Sequence, residues 1–323
     1  MKAWQVREFG DLDSMHYTDV PIPAPSAGEV RVKVRASGMN FAETRMRAGT
    51  YSGQEIPFLL GMEMAGTVDA VGAGVAGFEH GDPVFGRARG AHSEYVCVDA
   101  QHLFHKPAKL TFEQAAAIPV GWLTAWHALR TVAQGQSGNR VLIEAVASSV
   151  GSAALQIAKI QGCWVAGTAS RDDKLERAAE YGLDAAYNYK RENFAERLLR
   201  DTDGAGADIG MMTIGEETAG QLFDAMGNCG RIVMYGSTGG RQVCFSLNIG
   251  VRNIELHSMS ISTSPRFMPE TMQTFASEAL PLFDSGVFRP VVDVVLPIRE
   301  LRRAHEMIDE RTHFGKIVLM VGE

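Results

Sequence analysis

The chain has 323 residues, 46% of them hydrophobic and 21% charged, the composition of an ordinary globular protein long enough for two cores. A net charge of −7 with Lys and Arg dispersed provides no basic stripe for a phosphate backbone, which argues against nucleic acid as a partner. No apolar run approaches the roughly 20 residues that cross a bilayer, and the opening MKAWQVREFGDLDSM lacks a signal peptide's apolar core, so a cytoplasmic protein without a membrane span is expected.

In chain order, EVRVKVRA alternates Val30, Val32 and Val34 with charged residues, the period-two signature of a half-buried strand. Between residues 66 and 86 the chain reads as short strands broken at Gly66, Gly72, Gly74, Gly77, Gly81 and Gly86, which predicts a small barrel-like β domain. Cys97 lies in the next stretch. It and Cys163, Cys229 and Cys244 show no C-x-x-C spacing, which argues against a disulfide framework and a cysteine-rich zinc lobe, and no histidine stands in an H-E-x-x-H arrangement.

Near Pro107 the pattern changes. TFEQAAAIPVGWLTAWHAL begins with a helix N-cap at Thr111 and an acid at Glu113, runs to Pro119 and predicts a second helical stretch from about Leu123. Beyond it, strands RVLIEA, CWVAGTAS, AAYNY, ADIGMMTI, RIVMYGS and IELHSMSI alternate with helices over 151–161, 172–181, 193–200 and 218–226. That rhythm predicts an α/β fold with a doubly wound parallel sheet and right-handed crossovers. After about Ser264 a helix, the strand VVDVVLP, the helix LRRAHEMIDE and the strand KIVLMV offer no further alternation, so this tail is expected to fold back onto the first domain.

The turn in RVLIEAVASSVGSAALQIAK has the place of a dinucleotide site, because a helix N-terminus offers unpartnered N–H groups and a positive dipole end. The spacing stands as Ala145-x-x-Ser148-x-x-Gly151, with one glycine kept for close packing of helix on sheet. Ser148 or Ser149 can donate to a phosphate oxygen, and a positive φ at either would strain it. Taken alone, the residues equally describe a small-residue packing turn with no ligand. The second strand ends GTASRDDK: Ser170 stands where an NAD site carries an acid, followed by Arg171 and Lys174, which favours the 2′-phosphorylated cofactor NADPH, although such cations also begin ordinary solvated helices.

The segments GMNFAETRMRAGTY, LLGMEMAGTVDAVGAGVAGFEHGDPVFG, FEQAAAIPVGWLTAWHAL, GTASRDDKLERAAEYGLDAAYNY and HFGKIVLM together resemble the medium-chain dehydrogenase/reductase superfamily. The likeness runs in order over nearly the whole chain. Within the superfamily it points to the zinc-free quinone oxidoreductase (zeta-crystallin-like) group, with the vesicle amine transport protein homologues and related enoyl reductases.

The resemblance implies a GroES-like β-rich catalytic domain over 1–121 and 264–323, a Rossmann NADP-binding domain over 122–263, a cleft where they meet, and a homodimer joined through IELHSMSI. It implies no metal, because Asn40 and Met62 stand where zinc-dependent relatives carry Cys and His, and neither is a zinc ligand. Asn40 and Tyr51 match the catalytic positions beside the nicotinamide, and Arg45 and Met62 match the substrate pocket. Thr124, Ser148, Ser149, Val150, Gly151, Ser170, Arg171 and Gly236 match cofactor-binding positions, with Lys174, Tyr189 and Arg311 around the 2′-phosphate.

Four departures stand out: AVASSVG in place of the usual G-x-S-G-G-V-G, Arg45 in place of an aromatic residue, Met212 in place of an acid, and Glu144 in place of His, with no partner evident in the sequence. The activity implied is NADPH-dependent hydride transfer to a small-molecule acceptor, a quinone or an α,β-unsaturated carbonyl, with Tyr51 as donor to the developing oxyanion. The alternative is a catalytically silent relative acting as an interaction or structural protein.

Overall fold

The Val30, Val32 and Val34 alternation becomes the strand Glu29–Gly38, whose valines are buried while Lys33 and Arg35 face solvent. It is the centre of the first of two compact units, residues 1–120 and 276–323, in a computed structural model that describes residues 1–240, 242–244, 248–262 and 268–322. Its partners are Glu63–Val71, Tyr95–Asp99 and Lys316–Met320, all antiparallel, within a seven-stranded sheet that continues through Pro83–Arg87 and Leu103–His105 on one side and Val292–Pro297 on the other. A three-stranded sheet of Met15–Asp19, Lys2–Val6 and Phe58–Leu59 joins the same core. The tail therefore returns to the first sheet, as the lack of further β-α alternation requires.

Two of the glycines read as breaks are not breaks. Gly66 lies within Glu63–Val71 and Gly86 within Pro83–Arg87. A Cβ on Gly66 would stand 2.2 Å from the Lys33 carbonyl oxygen of the neighbouring strand, so the glycine serves close strand approach, with a register shift between Val34 and Ala36 beside it.

The second unit, residues 121–275, is built on a six-stranded sheet in which every pair is parallel. The order is Ala185–Asn188, Trp164–Ala169, Arg140–Ile143, Ala207–Met212, Met226–Met234, Glu255–Ser258. Chain order reverses on either side of Arg140–Ile143, which makes its carboxyl end a switch point where doubly wound sheets bind ligands. Helices Ser149–Ile160, Asp172–Ala179, Phe194–Asp201 and Ala219–Ala225 make the crossovers.

The helix expected from Leu123 starts four residues earlier. Pro119 is its first residue, where proline's missing N–H costs nothing, and Pro119–Trp126 runs on into wider π turns over His127–Val132. The Met268–Thr274 helix is tied to the second unit, since His127 Nδ1 and Thr131 Oγ1 lie 2.7 and 3.0 Å from Thr271 Oγ1 and Trp126 Nε1 donates to Thr274 Oγ1. The chain accordingly re-enters the first unit at Ala276. The boundary expected between residues 263 and 264 lies outside the described residues. No described helix is long and apolar enough to cross a membrane.

Candidate active site

In the first unit, Asn40 is the N-cap of the helix Phe41–Arg47, two residues beyond the end of the central strand, and it is buried. Its Nδ2 donates to Glu63 Oε1 at 2.8 Å, while Lys316 Nζ donates to its Oδ1 at 2.8 Å. Lys316 Nζ also donates to Glu63 Oε1 at 2.5 Å and to the Met39 carbonyl at 3.3 Å, and Glu63 Oε2 accepts the Val120 N–H at 2.7 Å. Lys316 and Glu63 are 2% and 0% exposed, so the charges survive in the core only because each polar atom has a partner.

A second buried group abuts the first. The Asn40 backbone N–H donates to Glu43 Oε1 at 3.0 Å, Glu43 Oε2 lies 2.7 Å from His92 Nε2, and His92 Nδ1 lies 2.8 Å from Ser37 Oγ. Burial pushes the Glu43 carboxyl up, but His92 and then His305 outweigh it and hold the group below the usual carboxylate range. Neither acid was singled out from the sequence. The signal was present: Glu63 and Lys316 are single charges inside the apolar strands GMEMAG and GKIVLM, of opposite sign.

Tyr51 is half-buried after the same helix, its backbone N–H donating to the Arg45 carbonyl at 3.2 Å. Arg45 lies over the Phe41 ring, 5.2 Å from its centroid. Met62 is half-buried next to Glu63, and its carbonyl accepts the Ala88 N–H. Arg87 pairs with Glu63 across the strands; burial pulls its guanidinium below the usual range, against the charge of Glu63.

In the second unit the turn after Arg140–Ile143 leads straight into the helix Ser149–Ile160. The positive φ falls on Ala145, at +50°, and neither serine carries it. An L-residue there bears a strain of about 1–2 kcal/mol. Ser148 is the N-cap of Ser149–Ile160, with φ −78° and ψ 169°, and its Oγ accepts the Gly151 N–H at 3.0 Å. That bond uses a lone pair of the hydroxyl and leaves its proton to be donated. A Cβ on Gly151 would lie 2.3 Å from the Ala145 carbonyl oxygen, and one on Gly121 would lie 2.3 Å from Ser149 Oγ. Thr124 is buried in the same helix as Gly121, one turn further on.

At the ends of the next two strands, Ser170, Arg171 and Lys174 follow Trp164–Ala169, and Tyr189 follows Ala185–Asn188 with its N–H donating to the Ala169 carbonyl. Ser170 and Tyr189 thus follow neighbouring parallel strands, Arg171 is the N-cap of the helix Asp172–Ala179, and Lys174 is buried in its first turn. Asp173 is engaged by Arg171 at 2.8 Å and Asp172 by Asn188 Nδ2 at 2.5 Å and by Arg191, so the local acids lie within pairs. Arg311 belongs to the first unit, exposed beyond the helix Leu301–Asp309 with φ +55°.

Glu144 has partners after all. Its Oε2 accepts the N–H groups of Thr213 and Ile214 at 2.8 and 2.7 Å, and its Oε1 accepts the Thr218 hydroxyl at 2.5 Å. Burial nevertheless pushes its carboxyl above the usual range. The clamp joins the ends of two neighbouring strands, next to Gly236, where a Cβ would stand 2.7 Å from Thr213 Oγ1. Met212 is core, 1% exposed.

Residues 26–108 match the alcohol dehydrogenase GroES-like domain family and residues 149–280 the zinc-binding dehydrogenase family. A quinone oxidoreductase of Pseudomonas aeruginosa is 32% identical over 322 residues, 99% of each chain. The chain belongs to the quinone oxidoreductase group of the medium-chain dehydrogenase/reductase superfamily. Among solved structures it is similar to Escherichia coli quinone oxidoreductase complexed with NADPH (TM-score 0.92, 28% identity, 99% of this chain and 100% of that one). It is also similar to the enoyl reductase CurK (TM-score 0.88, 26% identity, 99% of each chain). Among the described residues of this quinone oxidoreductase relative, no three His, Cys, Asp or Glu side chains come together as a metal site.

The electrostatics of the Asn40 region in this family member have a readable consequence for stability. His305, fully buried, has its Nδ1 3.4 Å from Arg47 Nη1. Burial pushes the imidazole down to about 3; Glu43 opposes that, while Arg47 and His92 add to it. The folded protein thus keeps His305 neutral while the unfolded chain protonates it below about 6.5. Its contribution is present above pH 6.5 and is lost as pH falls toward 3. Glu43 acts in the same direction only below its ordinary value of 4.5. Urea unfolding at pH 7.5 and 5.0 should therefore show a loss that is larger by roughly 2 kcal/mol in the native protein than in His305→Gln; an equal loss in both would remove His305 as a source.

Proposed function

We propose that this chain is an NADPH-dependent reductase that transfers hydride to a quinone or to a double bond conjugated to a carbonyl, without a metal. The observation that carries the reading is the turn at the sheet's switch point, a left-handed Ala145, a serine-capped helix start and Gly151 packed on the Ala145 carbonyl, with Ser170, Lys174 and Tyr189 beside it. Its chemistry fits a pyrophosphate and a 2′-phosphate: N–H groups of Ser149 and Val150 at a positive helix end, a Ser148 hydroxyl able to donate, and a cation within a hydroxyl-rich cluster. The NADPH complex of the similar Escherichia coli enzyme supports the same cofactor.

NADPH, when bound, supplies the hydride. Arg171 adds charge beside the 2′-phosphate, and Thr124 and the side-chain-free Gly236 accommodate the rest of the cofactor. Arg45 and Met62 border the acceptor. Asn40 orients a reactant through its amide, and Tyr51 donates its phenol O–H to the oxygen that gains charge. A metal has no role, because amide and thioether at positions 40 and 62 are not zinc ligands.

The two acceptor classes differ in their need for that donor. Hydride at the β-carbon of an enone leaves an enolate oxygen that needs a donor until the α-carbon is protonated, whereas a reduced quinone takes protons from water. Tyr51→Phe should cut enone turnover by roughly a hundredfold or more and change quinone turnover by only a few-fold. Unchanged turnover with both would remove Tyr51 from the mechanism.

We also propose that the protein is a homodimer. Glu255–Ser258 is an edge strand with Leu256 exposed, and pairing with a second copy would cover both. Light scattering should give twice the 35.0 kDa chain mass, reduced to the monomer by Leu256→Lys; a monomeric native protein would contradict this.

A further inference from the structure

The parallel ladder between Arg140–Ile143 and Ala207–Met212 is finished by a side chain. Its last main-chain bond runs from the Glu144 N–H to the Met211 carbonyl at 3.0 Å. The next rung would carry the Thr213 N–H to the Glu144 carbonyl. By then the chain has turned away at the left-handed Ala145, and the Val146 N–H goes to the Thr168 carbonyl at 3.0 Å. Thr213 and Ile214 would be left as buried donors without acceptors, a cost to the fold at each. The Glu144 carboxylate removes that cost. Its Oε2 accepts both N–H groups, and its Oε1 accepts the hydroxyl of Thr218, the residue before the helix Ala219–Ala225. One side chain thus stands in for a strand that has left.

The hold passes on to the next strand. The peptide between Thr213 and Ile214 gives its N–H to Glu144 and accepts the Thr238 N–H at its carbonyl at 2.8 Å, while the Ile214 carbonyl accepts the Gly239 N–H at 2.7 Å. These segments approach closely, since a Cβ on Gly239 would stand 2.8 Å from the Ile214 carbonyl oxygen. Segments 213–218 and 235–239, at the ends of two neighbouring strands, therefore hang from one carboxylate.

Both segments lie on the side of the switch point away from Trp164–Ala169. A dinucleotide with its 2′-phosphate read beside Trp164–Ala169 and its pyrophosphate at the switch-point turn extends its nicotinamide half to that other side. We propose that Glu144 is a positioning residue that holds these two segments as the floor under the nicotinamide half of NADPH and takes no part in holding the adenosine half. This rests on the reading of the chain as an NADPH-dependent reductase.

The test is calorimetric titration of the full chain with NADPH and with adenosine 2′,5′-bisphosphate, which keeps the adenosine and its 2′-phosphate and lacks the nicotinamide half. The native protein should bind NADPH more tightly by about tenfold or more, and Glu144→Ala should lower NADPH affinity about tenfold, the scale of leaving the ligand to order the segments itself, with the bisphosphate changed less than about twofold. Glu144→Asp keeps the charge but is one methylene short of the two N–H groups, and should shift the ratio the same way by about threefold or more. Glu144→Gln keeps the length and an oxygen for both N–H groups, with its NH2 toward the Thr218 hydroxyl, and should keep the native ratio. A merely structural role would change both affinities alike.

Folded Glu144→Ala or Glu144→Asp with the native ratio, or a Glu144→Gln as impaired as Glu144→Ala, would overturn the proposal. So would a native protein that binds the two ligands equally, whether or not the variants fold, because the nicotinamide half would then add nothing for Glu144 to support. Binding of neither ligand to the native protein would instead strike the underlying reading.

Discussion

A lysine and a glutamate cannot be buried in an apolar sheet unless their charges meet and every remaining donor and acceptor is filled. Lys316 and Glu63 satisfy that condition across 253 residues of sequence, with the Met39 carbonyl, the Asn40 amide and the Val120 N–H as the other partners. Much else follows from it. The C-terminal strand returns to the first sheet with Lys316 over Glu63, the entry to the Phe41–Arg47 helix is held from both sides, and the last residue of the first unit before the crossover to the second is hydrogen-bonded into the same cluster. Removing one ion would strand the other, so the pair functions as a single unit in which the sequence tolerates little variation by physics alone.

The second unit solves a different problem with ordinary side chains. A nucleotide turn needs a left-handed residue, a satisfied helix start and close packing of helix on sheet. Ala145 takes the first at a cost in strain, Ser148 supplies the second through its hydroxyl, and Gly151 alone provides the third. The serine that looks like a defect against a glycine-rich pattern is the N-cap, which is where serine is most stabilising. Glu144, the other unusual residue, draws the backbone after Ala207–Met212 onto the end of Arg140–Ile143. Turn and clamp therefore fix the same carboxyl edge of the sheet.

The alternation of apolar runs with helical stretches made the doubly wound sheet legible in the sequence, because parallel strands buried on both faces must read that way. The valine pattern of Glu29–Gly38 made the β-rich unit equally legible. Gly66 and Gly86 were misread since a glycine that admits a neighbouring backbone has the same letter as one that turns the chain. Helix starts slipped at Pro119, where proline marks an entry and not an end. Position along the strands was enough to put Ser170 and Tyr189 at the ends of neighbouring strands. Sequence spacing could not show that Asn40 sits between a carboxylate and an ammonium, because those partners come from strands 23 and 276 residues away.

The claim on which the functional account stands is that the serine-capped turn and the cluster at the neighbouring strand ends together hold a 2′-phosphorylated dinucleotide. Calorimetric titration of the purified protein with NADPH and NADH, side by side in the same buffer, tests it most directly. Saturable NADPH binding at micromolar concentration is expected, with NADH at least tenfold weaker, of the order expected for loss of one charged contact. Binding of neither cofactor at millimolar concentration, or equal binding of both, would contradict it.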